Sequence, residues 1–450
     1  MPSITPQVTL WHGPASGWPP TGTDMVLQAF AKMQDVAPRT QQSVAEALDR
    51  LSGQGREDRL THLEILPPRV GRPCAWPSWT DERLVEAWRA RGIERPWTHQ
   101  SAAAEAAYAG RHVVISTGTA SGKSLAYLMP ALTSVLRKRR PQGQRGSTVL
   151  YLSPTKALAQ DQLSGLLALG VPDLRATTHD GDSSREQRDW ARDHGEYLLT
   201  NPDMLHRSML PSHARWARFF SMLDFVVVDE CHHYRGVFGA HVAQILRRLR
   251  RVCAVYGASP TFVLASATVA EPETSAQRLT GLPFVAVTED GSPRGQVSLA
   301  LWEPPFTSYG GENGAPVRRS ATAEISDLLT DLVVDGVRTL AFIRSRRGAE
   351  TVSLTTKRLL DEAAPGLSER VAAYRGGYLP EDRRAIEQAL RAGELLGLAA
   401  TNALELGIDV SGLDAVLLAG FPGTRAALWQ QIGRAGRGGQ DALGVFVARD

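Results

Sequence analysis

The sequence is poor in lysine. Only five of its 50 basic residues are lysines, and the remainder are arginines. A general compositional preference for arginine explains the scarcity, so the ratio by itself indicates no function. The lysines that are present are still worth examining, and they are Lys32, Lys123, Lys138, Lys156 and Lys357.

Cysteine and long apolar runs are also scarce. The three cysteines, Cys74, Cys231 and Cys253, are far apart and odd in number, so they fit neither a disulfide framework nor a zinc site. No segment approaches the roughly 18 consecutive apolar residues of a membrane span. The first 31 residues contain no lysine or arginine and no sustained apolar run, so we expect no secretory signal. These absences predict a cytoplasmic protein in a reducing compartment, with no membrane partner.

A strong excess of one charge is absent as well. The net charge of +3 is nearly neutral for 450 residues, so a surface that binds nucleic acid must be local. The length is too great for one ordinary domain.

The chain changes character near residue 81. Residues 1–80 are rich in proline, glycine and polar residues, and we assign them no chemistry beyond an N-terminal extension. Short β-branched runs then alternate with longer helical stretches, a pattern typical of βαβ units and a parallel sheet. Proline and glycine cluster at 304–316, which predicts a linker between domains at 81–303 and 317–450. The fold class is therefore α/β, with two tandem parallel-sheet domains. The predicted strands are His112–Ser116, Thr148–Leu152, Asp224–Val228, Thr261–Ala265, Arg338–Ile343, Leu396–Ala400, Asp414–Ala419 and Leu443–Val447.

A loop of small residues lies between a predicted strand and an amphipathic helix. Small residues let backbone N–H groups point at phosphate oxygens, while a lysine meets the β- and γ-phosphates and a hydroxyl holds Mg²⁺. Lys123 and Ser124 fit the last two roles, although Thr117 stands where the strict pattern has glycine. The loop residues expected to cradle the nucleotide phosphates are Thr119, Ala120, Ser121 and Gly122.

An apolar strand ends in two carboxylates, Asp229 and Glu230. Parallel sheets bind ligands at the carboxyl ends of their strands. We expect Asp229 to hold the water shell of Mg²⁺ and Glu230 to orient or deprotonate an attacking water. A buried strand that ends in a charged turn is the alternative interpretation. The neighbouring Cys231 and His232 lack further ligands at suitable spacing, so a metal site of their own is not favoured.

Glycines flank two arginines near the C-terminus, Arg434 and Arg437. A planar and always charged guanidinium pair suits a clamp on a polyphosphate. Because this segment belongs to the second domain, the arginines would reach a nucleotide only when the domains close. A solvated glycine-rich loop is the alternative.

Together, the order and spacing of these three segments resemble a superfamily-2 helicase of the DExH type with two RecA-like domains. The resemblance covers roughly residues 88–447. It implies that the protein uses ATP and Mg²⁺, and that Lys123, Glu230, Arg434 and Arg437 drive hydrolysis.

The resemblance also gives shorter segments a role. It implies that Gln100 contacts adenine and that Gly407 and Asp409 lie near the ribose. The implied nucleic-acid contacts are Thr155, Lys156, Thr200, Asn201, Arg344 and Thr401. The residues implied to couple the nucleotide state to strand binding are His232, Ser266, Thr268 and Gln431.

A narrower resemblance is to the MrfA/SftH-type bacterial DNA helicases, relatives of the RecQ-like crosslink-repair helicases. The segments at 117–124, 229–232 and 400–410 carry it. The resemblance implies 3′–5′ movement on single-stranded or tailed duplex DNA, and a role in DNA repair. It also implies a C-terminal four-cysteine domain, and we therefore expect this sequence to be cut short. One chain holds both halves of the ATP site, which favours a monomer.

Three alternatives remain open from the sequence. An RNA helicase would use the same backbone contacts, and a nucleic-acid-binding scaffold with an inactive ATP site is less favoured because the reactive residues are intact. A generic P-loop enzyme such as a kinase does not explain the second domain. The basic runs at 137–140 and 247–251 and the indole of Trp429 are more simply a solvated helix surface and core packing.

Overall fold

The computed structural model of the chain describes residues 44–53, 55–139, 146–267, 269–404 and 412–449. Its helices are α1 (Val44–Ser52), α2 (Glu82–Arg89), α3 (Thr98–Tyr108), α4 (Lys123–Arg137), α5 (Lys156–Ala168), α6 (Arg185–His194), α7 (Pro202–Met204), α8 (Ala217–Phe220), α9 (Gly236–Val255), α10 (Pro272–Thr280), α11 (Ala321–Val334), α12 (Arg346–Ala363), α13 (Pro380–Ala392) and α14 (Arg425–Ile432). Its strands are β1 (Leu60–Leu66), β2 (Val113–Ser116), β3 (Thr148–Leu152), β4 (Ala176–Thr178), β5 (Tyr197–Thr200), β6 (Leu223–Val228), β7 (Thr261–Ser266), β8 (Val285–Val287), β9 (Val297–Trp302), β10 (Phe306–Gly310), β11 (Pro316–Arg318), β12 (Thr339–Phe342), β13 (Val371–Tyr374), β14 (Gly397–Ala400), β15 (Ala415–Ala419) and β16 (Ala442–Val447).

The first domain is built on a parallel sheet with the strand order β4-β5-β3-β6-β7-β2-β8. Its central strands are apolar and buried on both faces, as expected for a sheet covered by helices on two sides. Helices α2 to α5 pack on one face, and α6, α8, α9 and α10 pack on the other. Burial of these apolar side chains stabilises the domain at roughly 25 cal/mol per Å².

The second domain has the strand order β1-β9-β16-β15-β12-β14-β13. All neighbours are parallel except β1, which pairs antiparallel with β9 at the sheet edge. Helices α1, α11 and α12 cover one face, and α13 and α14 cover the other. Two sheets sandwiched by helices confirm the predicted α/β class with tandem parallel-sheet domains.

The sheets divide the chain differently from the predicted boundaries. Strand β1 lies within the expected extension at 1–80, and β9 lies within the expected first domain at 81–303, yet both belong to the second sheet. Residues 304–316, expected as a linker, instead enter the β10–β11 hairpin after β9. The chain therefore passes between the domains at 67–72 and again at 288–296. Strand β9 belongs to the second sheet because it pairs with β16 there, and this position buries the apolar side chains of β9.

In the part of the chain that the structure describes, no helix is both long and apolar enough to cross a membrane.

Candidate nucleotide site between the two domains

The phosphate loop connects β2, which ends at Ser116, to α4, which begins at Lys123. Gly122 caps the helix with φ of 73°, a left-handed conformation that favours glycine. The Lys123 ammonium donates hydrogen bonds to the carbonyls of Thr117 at 3.3 Å and Gly118 at 2.8 Å. The loop therefore curls around the ammonium at the amino end of a long helix, where phosphate binding is favourable.

The predicted loop residues lie as expected between β2 and α4. Ala120 has φ of 59°, and such positive φ values are uncommon for residues other than glycine. The hydroxyls of Thr117 and Ser121 are buried and lie 2.7 Å apart, which braces the loop from inside. Thr119 points toward the second domain.

Gln100 braces the phosphate loop from α3. Its amide nitrogen donates to the carbonyls of Ser121 at 3.2 Å and Gly122 at 2.9 Å, and its oxygen accepts the Trp97 N–H at 2.7 Å. A cavity of about 670 Å³ adjoins Gln100, and Ser124 contributes to its wall. The cavity is apolar enough for a base, but the amide N–H groups of Gln100 are already engaged. The adenine contact of Gln100 therefore stays a prediction.

Asp229 follows β6, and both of its carboxylate oxygens accept hydrogen bonds. The hydroxyls of Tyr151 and Tyr127 donate to Oδ2 at 2.7 and 3.2 Å, and the N–H of Glu230 donates to Oδ1 at 2.9 Å. Burial raises the pKa of Asp229 to about 6, and the negative charge of Glu230 adds to the shift. A buried carboxylate held this way is fixed in orientation and readily attracts a cation.

Glu230 has a strained backbone, with φ of 47°. Its Oε2 is buried without a hydrogen-bond partner among the described residues, and it lies 3.4 Å from Nδ1 of His232. Burial raises the pKa of Glu230, whereas the charges of Lys123, Arg434 and Arg437 oppose that shift. An oriented carboxylate with raised proton affinity suits a general base.

His232 connects the carboxylates to the second domain. Burial lowers its pKa to about 4, so the imidazole is neutral near pH 7. Its Nδ1 lies 3.2 Å from the N–H of Ala267, and its Nε2 lies 2.9 Å from the side-chain amide of Gln430. Sequence reasoning missed Gln430 and named its neighbour Gln431, which is also buried. The two adjacent glutamines could not be distinguished without knowing where α14 ends.

The arginine motif follows α14 and closes on the phosphate loop. Gly433 contacts Thr119 so closely that a side chain at 433 would overlap the Thr119 hydroxyl. Arg434 is buried, and Arg437 lines a cavity of about 440 Å³ together with Gly118 and Thr119. Groups from both domains therefore surround one cleft.

The predicted strand contacts of the first domain are placed at two helix starts. Thr155 caps α5 and accepts the N–H of Leu158 at 3.2 Å, and Asn201 caps α7 and accepts the N–H of Met204 at 2.9 Å. Thr200 is buried and donates to the carbonyl of His179 at 2.5 Å, which leaves its hydroxyl no exposed surface.

Two charged side chains predicted to contact a strand are exposed. Lys156 forms an ion pair with Asp182 at 2.8 Å, and Arg344 donates to the Phe421 carbonyl at 3.1 Å. By contrast, Thr401 at the end of β14 is buried. Arg344 borders a cavity of about 380 Å³, whose other cationic residues are Arg318, Arg319 and Arg449.

Three predicted residues, Thr268, Gly407 and Asp409, lie outside the described residues. Ser266 is described and buried at the end of β7. The adjoining Ala267 carbonyl accepts the hydroxyl of Ser116 at 3.0 Å, which ties this segment to the strand before the phosphate loop.

The acidic groups fit a magnesium ion that arrives with a nucleotide. Within the described ranges, no three His, Cys, Asp or Glu side chains are grouped to hold a metal. Mg²⁺ is commonly held by one or two carboxylates together with substrate phosphates and water, which matches Asp229 beside the hydroxyl-bearing Ser124.

Comparison with known proteins identifies the family. A family model described as DEAD/DEAH box helicase matches residues 97–275, and one described as helicase conserved C-terminal domain matches residues 322–439. The chain belongs to the superfamily-2 helicases. The uncharacterized ATP-dependent helicase YprA of Bacillus subtilis is 39% identical over 410 residues, which cover 90% of this chain and 53% of YprA.

Other similar proteins are longer too. The ATP-dependent helicase HRQ1 of Saccharomyces cerevisiae is 38% identical over 401 residues, covering 87% of this chain and 36% of HRQ1. The solved structure of the DUF1998 helicase MrfA bound to DNA and AMPPNP superposes with a TM-score of 0.82 at 39% identity. That match covers 91% of this chain and 55% of MrfA. The chain thus spans about half the length of YprA and MrfA.

Proposed function

We propose that this chain is the ATP-driven motor of a DNA helicase, which moves 3′–5′ along one strand and acts in DNA repair in the cytoplasm as a monomer. One observation carries the ATPase part of the proposal. Glu230 of the first domain lies close enough to Lys123, and to Arg434 and Arg437 of the second domain, for their charges to act on its carboxylate. Arg437 also lines one cavity together with Gly118 and Thr119 of the phosphate loop.

Each group has a task in hydrolysis. Lys123 binds the terminal phosphates, and Glu230 accepts a proton from the attacking water. Arg434 and Arg437 stabilise the charge that spreads over the γ-phosphoryl group. When bound at Asp229 and Ser124, magnesium supplies positive charge at the phosphates.

Hydrolysis is coupled to movement because the cleft lies between domains. Closing brings the arginines to the phosphates, and opening withdraws them. His232 contacts both Glu230 and Gln430, so it senses whether the cleft is closed. Alternate closure and opening would advance the strand along contacts at Thr155, Asn201 and Arg344, which bind backbone rather than base sequence.

Support for DNA comes from the similar proteins. MrfA has been solved bound to DNA, and the relatives are ATP-dependent helicases. The direction of movement and the role in repair are inferred from the family resemblance, and the monomer is inferred from the presence of both halves of the ATP site in one chain.

The test is steady-state ATP hydrolysis with no strand, with single-stranded DNA and with RNA of matched sequence. We expect DNA to stimulate turnover, RNA to do so weakly, and Glu230→Gln to lose about 10²–10⁴-fold in turnover while still binding DNA. Equal stimulation by RNA would replace the DNA assignment with an RNA motor. Normal hydrolysis by Glu230→Gln would refute its role as the base.

A further inference from the structure

The two passages between the domains run side by side. Residues 67–72 lead from β1 into the first domain, and residues 288–296 lead back to β9. The N–H of Arg69 donates to the Arg294 carbonyl at 2.8 Å, and the reverse hydrogen bond measures 2.9 Å. The N–H of Arg72 also donates to the Gly291 carbonyl at 2.8 Å. These crossings therefore form one antiparallel, two-stranded hinge rather than two independent linkers.

Side chains tighten this hinge. The guanidinium of Arg69 pairs with Asp290 at 2.8 Å and donates to the Ser292 carbonyl at 2.7 Å. Asp290 in turn accepts the N–H of Ser292 at 2.9 Å and its hydroxyl at 2.7 Å. Because the Asp290 carboxylate is only about one-tenth exposed, the ion pair with Arg69 is shielded from solvent more than a surface pair.

One buried side chain joins the hinge to the phosphate loop. His99 is 2% exposed, and its Nδ1 accepts the N–H of Gly291 at 3.1 Å. Its Nε2 lies 3.0 Å from the Ser121 carbonyl. Since Nδ1 is an acceptor, the proton of the neutral ring lies on Nε2 and is donated to Ser121. Nδ1 of His99 thus contacts the hinge, and Nε2 contacts the phosphate loop.

The phosphate loop, the start of α3 and the hinge are packed closely enough for a displacement of the loop to reach the hinge. A side chain at Gly291 would overlap the Thr98 hydroxyl beside His99, and one at Gly118 would come within 3.0 Å of the Asp290 carboxylate. Packed interiors transmit strain because they contain few voids. A movement of the loop when phosphates bind therefore reaches the hinge directly.

We infer that His99 is a positioning residue that couples the phosphate loop to the two-stranded hinge, so that nucleotide binding in the first domain sets the angle of the second. This inference rests on the proposed ATP-driven motor. It assigns His99 a role separate from Gln100, whose amide nitrogen contacts the loop at the Ser121 and Gly122 carbonyls. His99 acts through Ser121 and Gly291 and need not touch the nucleotide.

Two substitutions of His99 separate its contact with the phosphate loop from its contact with the hinge. In His99→Gln, the amide nitrogen can occupy the place of Nε2 and keep the Ser121 contact, while the Gly291 contact is lost. In His99→Asn, the amide oxygen can occupy the place of Nδ1 and keep the Gly291 contact, while the loop contact is lost. His112→Asn is the matched control, because Nδ1 of this half-buried histidine accepts the Phe262 N–H at 3.0 Å and His112 lies outside the hinge.

The first readout compares ATP hydrolysis with and without single-stranded DNA. We expect His99→Gln to keep the KM for ATP near that of the unchanged protein and to lose roughly tenfold in DNA stimulation, within the usual range of coupling between sites. We expect His99→Asn to lose stimulation and also to raise the KM. His112→Asn should leave both values unchanged. Full DNA stimulation in His99→Gln would overturn the inference.

The second readout measures the domains without turnover. Fluorophores on Leu167→Cys and Leu354→Cys, which are exposed on different domains, report the distance between them in a background where the partly exposed Cys74 and Cys231 are replaced by serine. AMPPNP should change this distance in the unchanged protein and not in the His99→Gln protein. An equal change in both would overturn the inference even if the ATPase assay had already refuted the proposed motor.

A variant of the hinge provides a second test that does not depend on correct folding of the His99 variants. Arg69→Gln removes the ion pair with Asp290 and leaves His99 in place. It should lower DNA stimulation with an unchanged KM for ATP, like His99→Gln. Unchanged stimulation in Arg69→Gln would show that the hinge is not the route and would overturn the inference.

Discussion

A single methyl group at Gly433 should stop the cleft from closing. In Gly433→Ala, the new carbon would lie 3.2 Å from Cβ of Thr119 and 2.9 Å from the Trp429 carbonyl oxygen, and it would overlap Oγ1 of Thr119. Non-bonded heavy atoms rest at about 3.5–4.0 Å. The arginine motif must therefore move away from the phosphate loop by on the order of 1 Å, or Thr119 must rotate.

The displacement sets the size of the effect. A misplacement of about 1 Å can cost roughly 100-fold in rate, which is about 2.7 kcal/mol in the activation barrier. Lys123, Ser124 and Asp229 of the first domain are untouched, so the KM for ATP should change little. The loss should therefore appear in kcat, measured as DNA-stimulated ATP hydrolysis under saturating ATP.

A double variant tests whether overlap with the Thr119 hydroxyl causes the loss of rate. Thr119→Ala removes the hydroxyl that the new methyl group would overlap, so the double variant should recover part of the rate lost by Gly433→Ala. Gly165→Ala is the control, because Gly165 lies at an exposed position of α5 and a Cβ there meets nothing within 4 Å. A normal rate in Gly433→Ala, or no recovery in the double variant, would refute the close approach of the two segments.

Two further predictions concern buried charges. Glu324 is 1% exposed and accepts hydrogen bonds from Arg59, Arg319 and Trp302, so Glu324→Ala should lower the free energy of unfolding by about 3 kcal/mol in denaturant titration; a loss below about 1 kcal/mol, as expected for a surface pair, would contradict this. The hydrogen bond from the Tyr151 hydroxyl holds the pKa of Asp229 down against burial, so Tyr151→Phe should raise that pKa above its value of about 6. Because Mg²⁺ needs the ionised carboxylate, the Mg²⁺ concentration for half-maximal hydrolysis should rise as pH falls through this pKa, and in Tyr151→Phe the rise should begin at higher pH. Identical pH profiles in the two proteins would count against the tyrosine contact.

The motif-bearing strands could be predicted because their chemistry marks their ends. Each predicted strand coincides with an observed one to within one residue, as β2 and β6 illustrate. Local sequence contains both the apolar run and the loop that follows it. The same information placed the phosphate loop and the carboxylates at one sheet edge.

Long-range pairing could not be predicted in the same way. Strands β1 and β9 are separated by the whole first sheet, and no local pattern indicates that they pair in the second. The hinge follows from that pairing, so the role inferred for His99 was invisible in the sequence. Thr200 illustrates a different limit, since a hydroxyl looks available until tertiary packing buries it against the His179 carbonyl.

The central claim is that ATP hydrolysis moves this chain along DNA, and displacement of streptavidin from biotinylated single-stranded DNA tests it directly. Movement from 3′ to 5′ predicts rapid, ATP-dependent displacement from a 5′ biotin and little from a 3′ biotin, with no displacement by Glu230→Gln. Displacement from the 3′ end would reverse the proposed direction. ATP hydrolysis without displacement from either end would contradict the account of a motor.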